Sequence, residues 1–493
     1  MAAIDEHLDR ARAAWSARDL PACRAACEAA LALRPGDFTA RMLLGDVRSA
    51  RGDLPGAARE MELAVAAKPR DHRARMHAAR TWLGAGEPKK ALRHFERGLA
   101  LAPDDAARAA AAAGMAGVHE ILGKPDRARR AIAEVPDGPG GVPRPAVAEI
   151  RVRDLLRQGR PEDVEPLVER VRATGLPPDA VHRGLLHGLA KARERLGDVD
   201  AAFAAAAEAN ALDPPAHDPD ALDAHVDGLV DWWTPERLAG LPSPATPSAR
   251  PVFIVGMPRC GSTLLERILH AHPQAAGVGE LGTIDVVPSP LAERIGRDEP
   301  LPQLLEHLEP VHAEGLAADL EKLLRRKAPG ARRVANKELF NLWHLGLIGA
   351  VLPRATVLHV TRDPADTGLS CFMERLPRGA CSWACDREHI ARYWRAQDRL
   401  VRHFRTIVPN PWLEVAYEDL VDDLEATTRR VLEVLELQWA PRCLEFHMVV
   451  RPESTASVDQ VRRPLYATSV GRARRFTAHL GPLADLPADR GGD

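Results

Sequence analysis

The sequence predicts a multidomain chain: an all-α array of helical hairpins, then an α/β domain built on a parallel sheet. Three observations predict it. Prolines recur 34 residues apart at Pro35, Pro69 and Pro103. A Pro/Ser-rich stretch, Leu241-Pro-Ser-Pro-Ala-Thr-Pro-Ser-Ala-Arg-Pro251, interrupts the chain. Beyond it, short β-rich runs alternate with helical ones, the pattern of strands joined by crossover helices. At 493 residues the chain is too long for one ordinary core, so domains are expected at 1–240 and 252–485 with 241–251 as the linker.

The first third is rich in Ala and Arg and poor in β-branched residues, a composition that favours helix. Asp19, Asp53 and Glu87 repeat at the same interval as the prolines, which yields three copies of a helix-turn-helix unit. In the second helix of each copy the columns Cys23/Ala57/Ala91, Cys27/Met61/Phe95 and Leu31/Val65/Leu99 are apolar and spaced i, i+4, i+8 along one face. The first helix supplies the apolar column Leu8/Met42/Met76 and the small-residue column Ala11/Gly45/Ala79. Looser units follow at Gly123-Lys-Pro-Asp126 and Gly197-Asp198, with a Pro/Gly-rich break at 136–143. Unit length and pattern resemble the tetratricopeptide repeat, which implies a solenoid.

In the second domain, strands are expected at Val252–Val255, Thr356–Val360 and Leu413–Tyr417, with helices near 263–271, 365–374, 390–404 and 424–435. A parallel sheet of this kind binds ligands outside the carboxyl ends of its strands. Directly after the first strand comes Gly256-Met-Pro-Arg-Cys-Gly-Ser-Thr263, running into a helix. Strand, Gly-containing loop and helix N-terminus make an anion cradle, because unpaired N–H groups and the helix dipole meet there. The frame G-x-x-x-x-G-x-T is that of a Walker A loop, but Ser262 stands where a nucleotide triphosphatase keeps its Lys. A cation lies inside the loop instead, at Arg259.

The segment Pro258-Arg-Cys-Gly-Ser-Thr263 resembles the 5′-phosphosulfate loop of sulfotransferases, particularly tyrosylprotein sulfotransferases and bacterial tetratricopeptide-repeat sulfotransferases. The resemblance implies a P-loop-like α/β domain that uses 3′-phosphoadenosine 5′-phosphosulfate as donor, with no metal. It assigns Arg259, Cys260, Gly261, Ser262 and Thr263 to the 5′-phosphosulfate, with Cys260 where relatives often carry Ser. Glu280, in Gly277-Val-Gly-Glu-Leu281, resembles the family's catalytic base, and Lys337, in Asn336-Lys-Glu-Leu-Phe340, the cation that bridges sulfuryl group and leaving phosphate. Arg362 in Val360-Thr-Arg-Asp-Pro364, with Ser370 eight residues on, resembles the 3′-phosphate site. Ser457 resembles a Ser near the reacting centre, Arg472 a cation closing over the 3′-phosphate, and Tyr417 a residue beside the nucleotide.

The expected reaction is sulfuryl transfer to an acceptor hydroxyl, with peptidyl tyrosine suggested by the relatives. Two other readings stay open, a phosphotransferase of the P-loop kinase type and a repeat-based adaptor carrying an inactive enzyme domain. The array has three roles open to it: holding an acceptor peptide, holding a protein partner, or pairing two copies as a homodimer.

Lys plus Arg number 67 against 69 Asp plus Glu, so the net charge of −2 supplies no whole-protein field for nucleic acid or an anionic membrane, and neither is expected as a partner. Seven cysteines without a C-x-x-C pair argue against a disulfide framework and for a reducing, cytoplasmic setting. Cys381, Cys385 and His389 lack an evident fourth ligand, and no metal is expected there. No stretch approaches the ~18 continuous apolar residues of a spanning helix.

Overall fold

The computed structural model describes residues 2–175, 180–212, 214–282, 284, 287–297, 299–449, 465 and 468–487. Ser457 lies outside the described residues. The chain divides into two compact units, one ending at Ala192 and the other beginning at Arg193.

The first unit opens with paired helices: Ala2–Ser16 with Leu20–Leu33, Phe38–Ala50 with Leu54–Ala67, and His72–Gly84 with Pro88–Ala100. Asp19 and Asp53 cap the second helices of the first two pairs, accepting hydrogen bonds from the N–H groups of Ala22 and Gly56. Glu87 makes no side-chain cap. The tight turn within each pair needs a left-handed residue, supplied by Gly52 (φ +80°) and Gly86 (φ +72°) and, in the first pair, by Arg18 (φ +58°). The small column lets helices approach closely, since a β-carbon on Gly45 would lie 2.4 Å from the Met61 side chain. Cys23, Ala57, Ala91, Cys27, Met61 and Phe95 are buried as the period requires. Two of the looser units also form, as helices Pro125–Ala133 in this unit and Val199–Ala211 in the next.

The second unit holds a five-stranded sheet of β1 (Pro251–Gly256), β2 (Ala275–Gly277), β3 (Arg333–Asn336), β4 (Thr356–Thr361) and β5 (Trp412–Ala416). Its order is β2-β3-β1-β4-β5, and every pairing is parallel. Every residue of β1 is buried. Its alternating side chains feed two cores, Phe253 and Val255 joining Val357, Leu347 and Phe404 on one face, Val252 and Ile254 joining Leu265, Ile268 and Val431 on the other. Expected strands 1, 4 and 5 lie within a residue of their observed bounds, except that Tyr417 begins the helix Tyr417–Asp422 rather than ending β5.

The helical stretch 193–240, read from sequence with the repeats, packs inside this second unit. Trp233 is buried against Phe404 at a centroid distance of 6.5 Å, over Gly346, where a β-carbon would come within 2.2 Å of the indole. Asp220 and Asp223 pair with Arg392, and Asp227 with Arg399. The Pro/Ser-rich stretch is tied down too, Ser248 and Arg250 both bonding Glu321. Among the described residues no helix is long and apolar enough to cross a membrane.

Candidate active site

Parallel strands all end on one edge of the sheet, so the residues just past their carboxyl ends share that edge. Past β1 comes the loop 257–261, past β2 Glu280, past β3 Lys337, past β4 Arg362 and past β5 Tyr417. Five segments widely separated in sequence are collected there by topology alone.

The loop is shaped by its glycines. Gly256 (φ +146°) passes so close to β4 that a β-carbon would sit 2.5 Å from the Val360 carbonyl oxygen. Gly261 (φ +103°) lies against the Tyr417 ring, where a β-carbon would meet Cδ2 at 2.4 Å. Between them Arg259 adopts a left-handed backbone (φ +72°), a strained conformation for a residue with a side chain. Gly261 is the N-cap of the helix Ser262–Ala271 and no side chain caps this end, so the first N–H groups of the helix have no partner within it. Ser262 and Thr263 are buried at this terminus.

Cys260 is drawn into the loop's own packing. Its N–H donates to the Met257 carbonyl at 3.2 Å, and its thiol is buried in the apolar core with Val252 and Leu264. Burial raises its pKa above the ordinary thiol value, so it packs the loop as a neutral group. The same desolvation drives Cys371, which donates to the Pro258 carbonyl at 3.3 Å, well above that value.

Arg259 donates from Nε to the Ser370 hydroxyl at 3.1 Å and faces Glu374 at 3.5 Å. Ser370 sits on the helix Pro364–Phe372, whose N-terminus Asp363 caps. Arg362 donates to the Arg259 carbonyl at 3.1 Å and to the Ser469 carbonyl, faces Asp366 at 3.5 Å, and lies 5.0 Å from the Tyr417 ring centroid. Its Nε is buried with no hydrogen-bond partner. Asp366, wholly buried, accepts from the N–H groups of Gly471 and Ala473 at 2.7 and 2.6 Å and so ties the segment 469–473 to the end of β4.

On the other side of β1, Lys337 Nζ meets Glu280 Oε1 at 2.5 Å. The lysine side chain is 2% exposed and the glutamate 46%, so a sealed cation holds a carboxylate that faces solvent. A cation is thus delivered from β3, the neighbouring strand, where the loop itself has Ser262. Near this pair Cys381 is pushed up to about 12 by burial, with the Glu280 and Glu338 carboxylates adding to the effect.

The structure therefore brings together Glu280 with Lys337, Arg259 with Ser370, and Tyr417 with Gly261 and Arg362. Arg472 is engaged elsewhere. Its guanidinium makes two bonds to the Glu194 carboxylate, at 2.7 and 2.6 Å.

A family model described as the Sulfotransferase family matches residues 251–441. That stretch is a sulfotransferase domain. The chain is 29% identical over 308 residues to an uncharacterized protein of Aquifex aeolicus, covering 60% of this chain and 40% of that protein. It is 23% identical over 252 residues to protein-tyrosine sulfotransferase 2 of Gallus gallus, covering 47% of this chain and 67% of that one. The sulfotransferase domain of the Synechococcus PCC 7002 olefin synthase is 20% identical with a TM-score of 0.36, covering 50% of this chain and 98% of that domain. Since this chain spans 40% of the length of the Aquifex relative, the likeness speaks for the matched segment. The protein joins tetratricopeptide-type repeats to a sulfotransferase domain.

Two polar residues that shape this site, Glu194 and Glu266, carry no motif of their own, and their roles arise from burial and from partners 278 and 13 residues away; Asp366, which sequence offers as a partner for Arg362, does face it at 3.5 Å.

Proposed function

We propose that the second unit transfers the sulfuryl group of 3′-phosphoadenosine 5′-phosphosulfate to an acceptor hydroxyl. One observation carries the reading: three cations, Arg259, Lys337 and Arg362, and one solvent-facing carboxylate, Glu280, stand at the carboxyl edge of one parallel sheet beside a helix terminus with no side-chain cap. The donor's chemistry fits what is present. It carries anionic groups at both ends of its ribose, and the edge offers a helix N-terminus with no side-chain cap for one and the unpartnered Nε of Arg362, with Ser370, for the other.

In this reading Gly261, Ser262 and Thr263 hold the 5′-phosphosulfate through the helix terminus. Cys260 contributes through packing. Arg259 and Lys337 lie against the sulfuryl oxygens and the bridging oxygen, where charge grows as the bond to sulfur breaks. Glu280 accepts the acceptor's hydroxyl proton, the acceptor oxygen bonds to sulfur, and the sulfur–oxygen bond to the 5′-phosphate breaks with its electron pair leaving on 3′-phosphoadenosine 5′-phosphate. Ser457 is assigned near the reacting centre by family resemblance, and Tyr417 beside the nucleotide. Arg472 reaches the 3′-phosphate on release from Glu194. Peptidyl tyrosine is the acceptor suggested by the protein-tyrosine sulfotransferase relatives.

Thermal melting with donor, with 3′-phosphoadenosine 5′-phosphate or with ATP and magnesium tests the donor class. The two adenosine 3′-phosphates are expected to raise the melting temperature. Preferential stabilisation by ATP with magnesium would instead favour a phosphotransferase, and the reading would fall. Glu280→Gln is expected to keep nucleotide binding while lowering turnover by about 10²- to 10⁴-fold, the usual contribution of a general base.

A further inference from the structure

Glu280 is the only part of the Lys337 pair that meets solvent to any extent, and it stands on a loop of β2's three-residue end. A carboxylate on such a short element needs its backbone fixed from outside. Both peptide groups that flank it are. On one side the Gly279 N–H donates to Glu266 Oε1 at 2.7 Å, and the Gly279 carbonyl accepts from the Lys337 N–H at 2.9 Å. The left-handed Gly279 (φ +79°) turns the chain between those two bonds. On the other side Asn336 holds Leu281 at two points. Its Oδ1 accepts from the Leu281 N–H at 3.1 Å and its Nδ2 donates to the Leu281 carbonyl at 3.0 Å.

Asn336 has a further bond. The same Oδ1 accepts from the Glu338 N–H at 3.1 Å. It therefore grips the backbone on both sides of Lys337, since residue 336 precedes the lysine and residue 338 follows it. One amide side chain fixes the positions of both members of the Glu280–Lys337 pair. Glu266 and Asn336 are each 3% exposed. Burying two polar side chains to shape one loop is costly unless every bond is made, which is why such groups define a unique local geometry.

We propose that Asn336, together with Glu266 at Gly279, is a positioning residue that holds the Glu280 carboxylate beside Lys337 where it takes the acceptor's hydroxyl proton. The assignment rests on the sulfuryl-transfer reading above. Neither side chain touches substrate in this scheme; each acts through Glu280. A displacement of about 1 Å at a reacting group lowers rate by about 10²-fold, so loss of Asn336 should lower the rate at saturating donor while leaving the donor KM nearly unchanged.

The test is a double-mutant cycle on the full chain, with labelled donor and a whole-cell extract as acceptor mixture. Asn336→Ala is expected to lower the rate at saturating donor by about 30- to 100-fold, with donor KM and calorimetric affinity for 3′-phosphoadenosine 5′-phosphate within about 3-fold. Asn336→Asp, which keeps the two accepted bonds and loses the donated one, should recover about 10-fold of that loss. In a Glu280→Gln background either Asn336 substitution should change the rate by less than about 2-fold, because residues acting as one unit are non-additive. If Asn336→Ala gives no folded protein, Asn336→Asp carries the cycle. Equal losses in both backgrounds, or a lost nucleotide affinity, would mean a structural role and overturn the assignment. Absence of any transfer by the unsubstituted chain would overturn the sulfuryl-transfer reading, and the assignment with it.

Discussion

Gly261→Ala perturbs the loop at the point where three features meet: a left-handed backbone, an aromatic ring and a buried guanidinium. At φ +103° a residue with a side chain carries about 1–3 kcal/mol of strain. The new methyl would sit 2.4 Å from Tyr417 Cδ2, closer than carbon atoms approach, so the ring must move. That ring lies 5.0 Å from the Arg362 guanidinium, a contact worth about 0.5–2 kcal/mol. The losses together come to about 1.5–5 kcal/mol. They appear either as lower stability of the second unit, if the loop keeps its shape, or as weaker anion binding, if it relaxes. At about 1.4 kcal/mol per factor of ten, a fully binding-linked loss of 2 kcal/mol lowers affinity about 30-fold. A fully stability-linked loss of the same size lowers the melting temperature by about 4–8 °C. Calorimetric titration with 3′-phosphoadenosine 5′-phosphate and differential scanning calorimetry measure the two shares. Adding Tyr417→Ala should relieve the ring contact and leave the backbone strain. A Gly261→Ala protein that binds within 2-fold of the parent and melts within 2 °C of it would refute the reasoning.

Two further outcomes follow from the packing. Trp233→Ala should destabilise the second unit by about 3–5 kcal/mol through an unfilled cavity between Phe404 and Gly346, seen as a lower urea midpoint; an unchanged midpoint would mean that residues 193–240 are not part of that core. Burial pushes Cys27 and Cys381 up to about 12 and Cys443 to about 11, so these thiols stay protonated in the folded chain and ionise near 8.5 when unfolded. Because the folded values are raised, their contribution is complete below about pH 8.5 and is lost as pH rises toward 11–12; a urea midpoint that holds steady from pH 7 to pH 10 would contradict it.

How much was legible depended on whether the information was local. The repeats could be read because a 34-residue period sets the same side chains against each other three times, and the structure buries those columns. β1 and β4 announce themselves as β-branched runs, and β5 as a short run of Trp, Leu and Val. β2 is Ala-Ala-Gly and β3 is Arg-Val-Ala-Asn, without strand character, and both are held by pairing with neighbours. Arg333 shows why the second was opaque: a charged residue is 4% exposed because it bonds the Leu435 carbonyl and Glu436, about a hundred residues on. Punctuation alone marks a boundary at 240, and it does not encode that residues 193–240, with Trp233 buried among them, cluster with the second unit. At the site, residues within motifs could be named in advance. The side chains that aim them could not, since Glu194 or Glu266 in a sequence looks like any polar residue on a helix.

Asp366 has a consequence for the order in which the protein assembles. Helices of the first unit bond to their immediate neighbours, so each hairpin finds its partners soon after it leaves the ribosome. The second unit has no such freedom. β1 lies between β3 and β4, so its pairing waits for residues 333 and 356, and the site waits longer, because Asp366 and Arg362 take their last partners from residues 469, 471 and 473. Some 210 residues of chain separate the phosphate loop from the segment that closes around it. During synthesis the repeats can therefore pair while the sheet of the second unit still waits for the strands that flank β1.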